Sequence, residues 1–235
     1  MPATQGVLFD YGRTLVTFSY PTEALLHVLR QFRPRIEAAV GVTAPEPEKI
    51  LHEVLLPMEE YVSSVSEDEV DYMDVYRDSW ARAGLRLPDG LLYEVLDAEQ
   101  QCWDRAVRVD AAARQVLRGL GGLGIKRGIC SNAPFPPEMM RRQVASNGIA
   151  ELVDAIVFSS EVGRRKPAPE AYRAALDAIG TEAELTLFVG DRVREDFDGP
   201  RALGMRAVIV TEHADERPRD GVPTIETLAQ LPSLL

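Results

Sequence analysis

The apolar run Val7–Leu8–Phe9 is short, unbroken and stopped by a carboxylate, Asp10, with Gly12 and Thr14 just behind it. Such a run, closed by turn-forming residues, predicts a strand over Val7–Asp10 that is buried on both faces. From about Thr22 to Ala106 the period changes. Leu25, Leu26, Val28 and Leu29 form one set, and Ile50, Leu51, Val54, Leu55 and Met58 a second. Val70, Met73, Val75, Tyr76 and Trp80 form a third, and Leu91, Leu92, Val95, Leu96 and Trp103 a fourth. Recurrence at three and four residues is the buried stripe of an amphipathic helix. Pro45 and Pro47, then Ser66 with the acids Glu67–Glu69, then Pro88–Gly90 fall where helices would start. The stretch predicts a four-helix bundle with short links.

After about residue 107 strands and helices alternate. Asp110 is placed to cap a helix running to the glycine cluster Gly119–Gly124. Strands are predicted over Lys126–Ser131, Ala155–Ser160, Leu185–Gly190 and Arg206–Thr211. Helices are predicted over Pro137–Ser146, Ala168–Ile179, Arg194–Leu203 and Thr224–Leu231. This alternation predicts an α/β fold, a doubly wound, Rossmann-like parallel sheet with helices on both faces. The first strand belongs to that sheet. The core is therefore expected over residues 1–17 and 107–235, with the all-helical segment 18–106 inserted after the first strand.

In such a sheet ligands bind beyond the carboxyl ends of the strands. The first strand ends at Asp10, the second at Ser131–Asn132, the next at Ser159–Ser160–Glu161 ahead of Lys166, and the fourth at Gly190–Asp191 with Asp196 close behind. Chain order alone gathers Asp10, Ser131, Lys166 and Asp191 on one rim. Taken singly, each is ordinary: an Asp at a strand end caps a turn or a helix, and a Lys before proline is an exposed charge.

Charge narrows the partners. The net charge is -11, which opposes binding to phosphate backbones and anionic lipid, so neither nucleic acid nor membrane is an expected partner. No apolar stretch approaches a membrane span, no signal peptide is discernible, and the cytoplasm is the expected compartment. Cys102 and Cys130 are far apart and outside any CxxC pair, which argues against a disulfide framework or a thiolate metal site. Cys130 ends an apolar run and reads as a small core residue. His27, His52 and His213 have no second ligand at metal spacing and read as surface residues. Lysine is scarce, with Lys49, Lys126 and Lys166 the only ones among 26 basic residues. Arg164–Arg165 reads as a solvated turn, and the apolar residues around Val62–Val65 as core or interface, leaving a monomer or a homodimer open.

The stretches FDYGRTL, ICSNA, RKPAPEAY and FVGDRVREDFDGPRALG together resemble the four ordered motifs of the haloacid dehalogenase superfamily. The helical insertion resembles the C1-type cap of that superfamily's subfamily I. The resemblance implies a hydrolase acting on a small phosphorylated molecule through an aspartyl-phosphate. Asp10 would be the nucleophile; Ser131 and Lys166 would hold the phosphoryl group, joined in binding by Asn132, Gly12, Arg13 and Thr14. Mg²⁺ would be held by Asp10, the Gly12 carbonyl, Asp191 and Asp196. The chemistry suits those residue types: a carboxylate can attack phosphorus, and a divalent cation with fixed donors neutralises the meeting of two anions.

The first motif departs from the phosphatase pattern Asp-x-Asp-x-Thr. Gly12 stands where a second Asp normally protonates the leaving oxygen and activates water. One explanation keeps a phosphatase with a good leaving group, or with a proton supplied by water or by an insertion acid such as Glu67, Asp68 or Asp71. A second is a 2-haloacid dehalogenase, although such enzymes typically carry Tyr at this position and lack the acidic fourth motif. A third is a phosphonatase with Lys49 as the Schiff-base lysine. A fourth is a phosphate-binding protein without turnover. Arg13 also departs from the usual Gly, facing substrate or solvent.

Overall fold

The computed structural model describes residues 3–64 and 67–235; Val65 and the expected helix-start Ser66 lie outside them. Two compact units result, one of Met1–Phe18, Ser66–Glu69 and Arg108–Leu235, the other of Ser19–Val65 and Val70–Val107.

In the first unit the strands are β1 (Gly6–Phe9), β2 (Val16–Thr17), β3 (Arg108–Val109), β4 (Lys126–Ser131), β5 (Ala155–Phe158), β6 (Thr186–Gly190), β7 (Arg206–Val210) and β8 (Thr224–Ile225). All but β2 and β3 form one sheet in the order β5-β4-β1-β6-β7-β8, with every pairing parallel. Val7, Leu8 and Phe9 are each fully buried although successive side chains point to opposite faces, so both faces of β1 are covered. On one face the helix Pro169–Ile179 lays Ala171, Tyr172, Ala175 and Ile179 on Leu8, Cys130, Phe188 and Ala207 from four strands. That helix starts on a proline and ends at Gly180, whose φ of 68° suits glycine. Cys130 lies in this core, where burial pushes its thiol up to about 12.

Register fixes the rim. Phe9 pairs with Ile129 on one side and Val189 on the other, so the residues that follow on β1, β4 and β6 emerge side by side. The short antiparallel ladder β2–β3 pairs Val16 with Val109 and Thr17 with Arg108. Its two-residue strands carry no periodic signal, and the sequence did not predict it.

Three expected elements differ in form. The strand from Ala155 stops at Phe158, and Ser159–Val162 is a helical turn ending at Gly163, φ 75°. The helix from Arg194 is a π turn, Val193–Asp198, followed by Gly199–Ala202. The last helix is replaced by β8 and a 3₁₀ segment, Leu228–Leu234. There, sheet pairing outweighs helix period: Thr211 N–H donates to the Ile225 carbonyl at 3.0 Å, and Pro232 opposes an α-helix.

The second unit contains the helices Thr22–Val40, Tyr72–Arg82 and Asp89–Ala106, with a further one in three parts, Pro47–Ile50, the π turn Leu51–Leu55, and Leu56–Val62. Asp71 caps the Tyr72 helix by accepting from the Asp74 N–H at 3.0 Å. Val62 is buried, as are Leu25, Leu29, Ile50, Val54, Trp80 and Leu92. Among the described residues no helix is long and apolar enough to cross a membrane.

Inside this unit sits a carboxyl group with no cationic partner. Glu99 is 5% exposed, accepts from the Tyr76 hydroxyl at 2.9 Å, and its Oε1 has no hydrogen-bond partner. Burial pushes its pKa to about 8; burial likewise pushes Glu59, which accepts from the Tyr20 hydroxyl at 3.2 Å, to about 7. An acid with a raised native pKa keeps its proton in the folded state while the unfolded chain releases it near the ordinary value of 4.5. Stability therefore falls as pH rises between those values. Thermal melts should show the midpoint dropping from about pH 5 to about pH 8. Glu99→Gln, which still accepts from Tyr76, should flatten that drop; an unchanged pH dependence in the variant would refute the assignment.

Candidate active site

Asp10 follows the last residue of the central strand β1, and its N–H donates to the Val189 carbonyl at 2.9 Å. Its carboxylate accepts on one oxygen, Oδ1, from two donors: the Ser131 hydroxyl at 2.9 Å and the Lys166 ammonium at 2.7 Å. Lys166 also donates to Asp196 Oδ1 at 2.6 Å. The other Asp196 oxygen accepts from the backbone N–H groups of Asp191 at 3.1 Å and Arg192 at 3.0 Å. The π turn Val193–Asp198 brings that carboxylate back beneath the end of β6. Gly190 makes room for it: a Cβ there would lie 2.3 Å from the Asp196 carboxyl carbon.

These groups are out of water. The Lys166 and Asp196 side chains are 2% and 1% exposed, whereas that of Asp10 keeps 12%, so Asp10 is the member most open to a ligand. Burial acts to lower the Lys166 pKa, but Asp10 and Asp196 outweigh it and hold the ammonium well above its ordinary value. Asp191 has no such partner. Its Oδ2 is buried without a hydrogen bond, and burial, then the charges of Asp10 and Asp196, push its pKa up to about 8. Carboxylate oxygens of Asp10, Asp191 and Asp196 lie within 4.8 Å of one another. The Arg192 guanidinium adds its charge to that of Lys166 beside these acids, and an all-oxygen donor set of that spacing suits a hard divalent cation.

A sequence model described as haloacid dehalogenase-like hydrolase matches residues 4–204. The chain belongs to that family.

Haloacid dehalogenase-like relatives differ in what they are named for. A phosphoglycolate phosphatase of Rhodospirillum rubrum is 33% identical over 99 residues, 42% of this chain and 40% of that protein. A phosphoserine phosphatase of Thermus thermophilus is 38% identical over 74 residues, 32% of this chain and 30% of that protein. The chain thus spans less than half the length of these relatives. Among solved structures, a phosphatase of the family from Thermococcus onnurineus has a TM-score of 0.65 at 19% identity, with 98% of this chain and 97% of that one covered. A 2-haloacid dehalogenase from Pseudomonas syringae pv. tomato has a TM-score of 0.68 at 19% identity, with the same coverage. Both share the fold.

In this family member Asp10, Ser131, Lys166, Asp191 and Asp196 converge, while other expected site residues turn elsewhere. The Asn132 amide clasps the Lys166 backbone, accepting from its N–H at 2.7 Å and donating to its carbonyl at 3.0 Å. Arg13, left-handed at φ 58°, pairs with Asp215 at 2.9 Å and lies over the Phe18 ring. Gly12 forms a bridge with Val16, and the Thr14 hydroxyl is buried without a hydrogen-bond partner.

The Arg164–Arg165 turn is not simply solvated, because Arg165 is 8% exposed and faces Glu69 at 3.8 Å. Nor are the acids of the insertion free proton donors. Asp68 pairs with Arg164, Glu67 with Arg164 and Arg194, and Asp71 caps its helix. His213, read as a plain surface residue, lies 3.5 Å from Asp110. Ser159, which the sequence places at a strand end ahead of Lys166 and gives no role, accepts from the Ala133 N–H at 2.8 Å.

The close approach at Gly190 is testable. Gly190→Ala forces the Asp196 carboxyl to shift and should destabilise the protein by about 1–3 kcal/mol. Gly119→Ala, at a helical glycine with nothing within 4 Å of the new methyl group, should stabilise it by about 0.5–1 kcal/mol. Urea midpoints at constant slope measure both.

Proposed function

We propose that this protein is a Mg²⁺-dependent phosphatase of small phosphorylated metabolites, with Asp10 as nucleophile. The observation that carries the reading is the meeting of two donors on one oxygen of the least buried carboxylate, beside two further acids on the same rim. Ser131 and Lys166 stand where they can turn their O–H and N–H groups from Asp10 to phosphoryl oxygens. The Asp10 carboxylate then attacks phosphorus, the bond from phosphorus to the leaving oxygen breaks, and an aspartyl-phosphate forms. Water then cleaves it, regenerating the carboxylate and releasing phosphate. Fixed donors act where charge spreads over the equatorial oxygens.

Asp10, Asp191 and the Gly12 carbonyl would hold the metal. The orphaned Asp191 oxygen and the excess of carboxylates support that fit. When bound, Mg²⁺ supplies neutralisation of the phosphoryl charge. Asp196, engaged by Lys166 and two backbone N–H groups, steadies the lysine and the turn after β6.

The fourth motif favours this reading over a dehalogenase, for which a buried Asp191 with an unpartnered oxygen beside the nucleophile would serve no purpose. A phosphonatase lysine is disfavoured because Lys49 is 59% exposed and lies 3.8 Å from Glu53. The relatives named for phosphoglycolate and phosphoserine favour a compact phosphomonoester as substrate. Gly12 favours one whose leaving oxygen needs little protonation.

The purified protein should release phosphate from an aryl phosphate with Mg²⁺, and Asp10→Asn should abolish that release. Chloride release from chloroacetate, or turnover of phosphonoacetaldehyde in place of phosphate-ester cleavage, would overturn the reading. Gly12→Asp should accelerate aryl-phosphate hydrolysis by about tenfold or more, since acid–base help contributes roughly 10²–10⁴. A Cβ at residue 12 would meet only the Phe18 ring edge, at 3.4 Å. A folded, metal-binding variant without gain would refute the missing-proton explanation.

A further inference from the structure

The residues 67–69 sit in the sequence among the helices of the insertion, yet group with the sheet unit. They run against the turn that leads into Lys166. Asp68 forms a bridge with Arg164, the Glu69 N–H donates to the Gly163 carbonyl at 3.1 Å, and the Arg165 N–H donates to the Glu67 carbonyl at 2.8 Å. Side chains reinforce this pairing: Arg164 with Asp68, Arg164 and Arg194 with Glu67, and Arg165 with Glu69.

Glu69 differs from its neighbours in being buried, its side chain 1% exposed against 44% for Glu67 and 80% for Asp68. Its Oε1 faces the Arg165 guanidinium and its Oε2 accepts from the Ser159 hydroxyl. The same Ser159 oxygen accepts from the Ala133 N–H at 2.8 Å. Ala133 is two residues beyond Ser131, and Arg165 directly precedes Lys166. One carboxylate is therefore tied to both loops that deliver donors to Asp10. The Asn132 amide links those loops a second time, nearer the site.

We propose that Glu69 is a positioning residue: through Ser159 and Arg165 it sets the separation of the Ser131 and Lys166 loops, and so the phosphate affinity of the site. The proposal rests on the phosphatase reading. The Ser159 bond to Glu69 is charge-assisted and the Arg165 contact is an ion pair between two largely buried side chains, the class in which loss of one partner is most strongly felt. The outer pairs of Glu67 and Asp68 are exposed and contribute little.

The test measures orthovanadate affinity by calorimetry with Mg²⁺ present, together with aryl-phosphate kinetics. Glu69→Ala should weaken vanadate binding by about tenfold or more and lower kcat/KM by roughly 10–100-fold, the scale of a 1 Å misplacement. Ser159→Ala should do the same, with the double variant no worse than either alone, because both break one chain of contacts. Glu69→Gln, which can still accept from Ser159, should recover part of the affinity. Asp68→Ala should leave affinity within twofold. Lys166 can also be followed directly by peptide mapping after amine acylation, since Lys49 and Lys126 are the only other lysines. Its labelling relative to those two should rise in Glu69→Ala. Wild-type protein that binds vanadate, with folded Glu69→Ala and Glu69→Gln binding it equally well, overturns this proposal alone. Wild-type protein that binds none overturns the phosphatase reading and this proposal with it.

Discussion

A single buried ammonium holds the site together. Lys166 lies between Asp10 and Asp196, within hydrogen-bond distance of both. Taking three charges out of water is expensive, and an ion pair repays it only with good geometry and with the remaining lone pairs filled. The fold meets that condition unevenly. Asp196 has two backbone donors on its second oxygen, and Asp10 has Ser131. Asp191 is left over, its buried oxygen unpartnered. The arrangement is thus stable at its core and deficient in positive charge at its edge. On the phosphatase reading, a divalent cation at that edge would supply the missing partner.

The sheet makes the imbalance possible. With the order β5-β4-β1-β6-β7-β8, the chain leaves β1 towards one side for β4 and β5 and returns to the other for β6, β7 and β8. Asp10 therefore sits at the point where the strand order reverses, the crevice where ligands enter open α/β sheets. Its neighbours on both sides are strand ends, which explains why residues from across the sequence meet at one carboxylate. Parallel register does the fine placement, and a glycine at the end of β6 gives Asp196 its space.

Much of this is legible in the sequence. Short apolar runs at Val7 and Lys126–Ser131 announced buried strands, and the polar residue at the end of each announced the rim. Those features are local, and local pattern is what sequence exposes. The side chain of Asn132 was not legible as a clasp for Lys166, because that role depends on a loop 34 residues away. Arg13 was open between substrate and solvent; its pairing with Asp215 arises from a partner 202 positions on. The β2–β3 ladder and β8 are two residues long and owe their form to a neighbour, so no period betrays them. The acidic run Glu67–Glu69 and the basic pair Arg164–Arg165 were both visible, yet complementary charge does not reveal adjacency.

The absence of a carboxylate at Gly12 is best understood against the same charge balance. A second aspartate there would place another negative charge near the incoming phosphoryl group. Two like charges about 4 Å apart at an effective dielectric near 20 repel by roughly 4 kcal/mol. Acid–base help of 10²–10⁴ corresponds to roughly 3–5 kcal/mol of barrier. The two terms are comparable, so on the phosphatase reading the loss of the acid would be partly offset by tighter binding of the anion. Where the leaving oxygen is a weak base, as in an aryl phosphate, its departure needs little protonation, but the water that cleaves the aspartyl-phosphate would still gain from a base at position 12. For a strongly basic alkoxide both steps would gain from it. On the phosphatase reading, glycine at position 12 would therefore weigh most against esters of strongly basic alcohols.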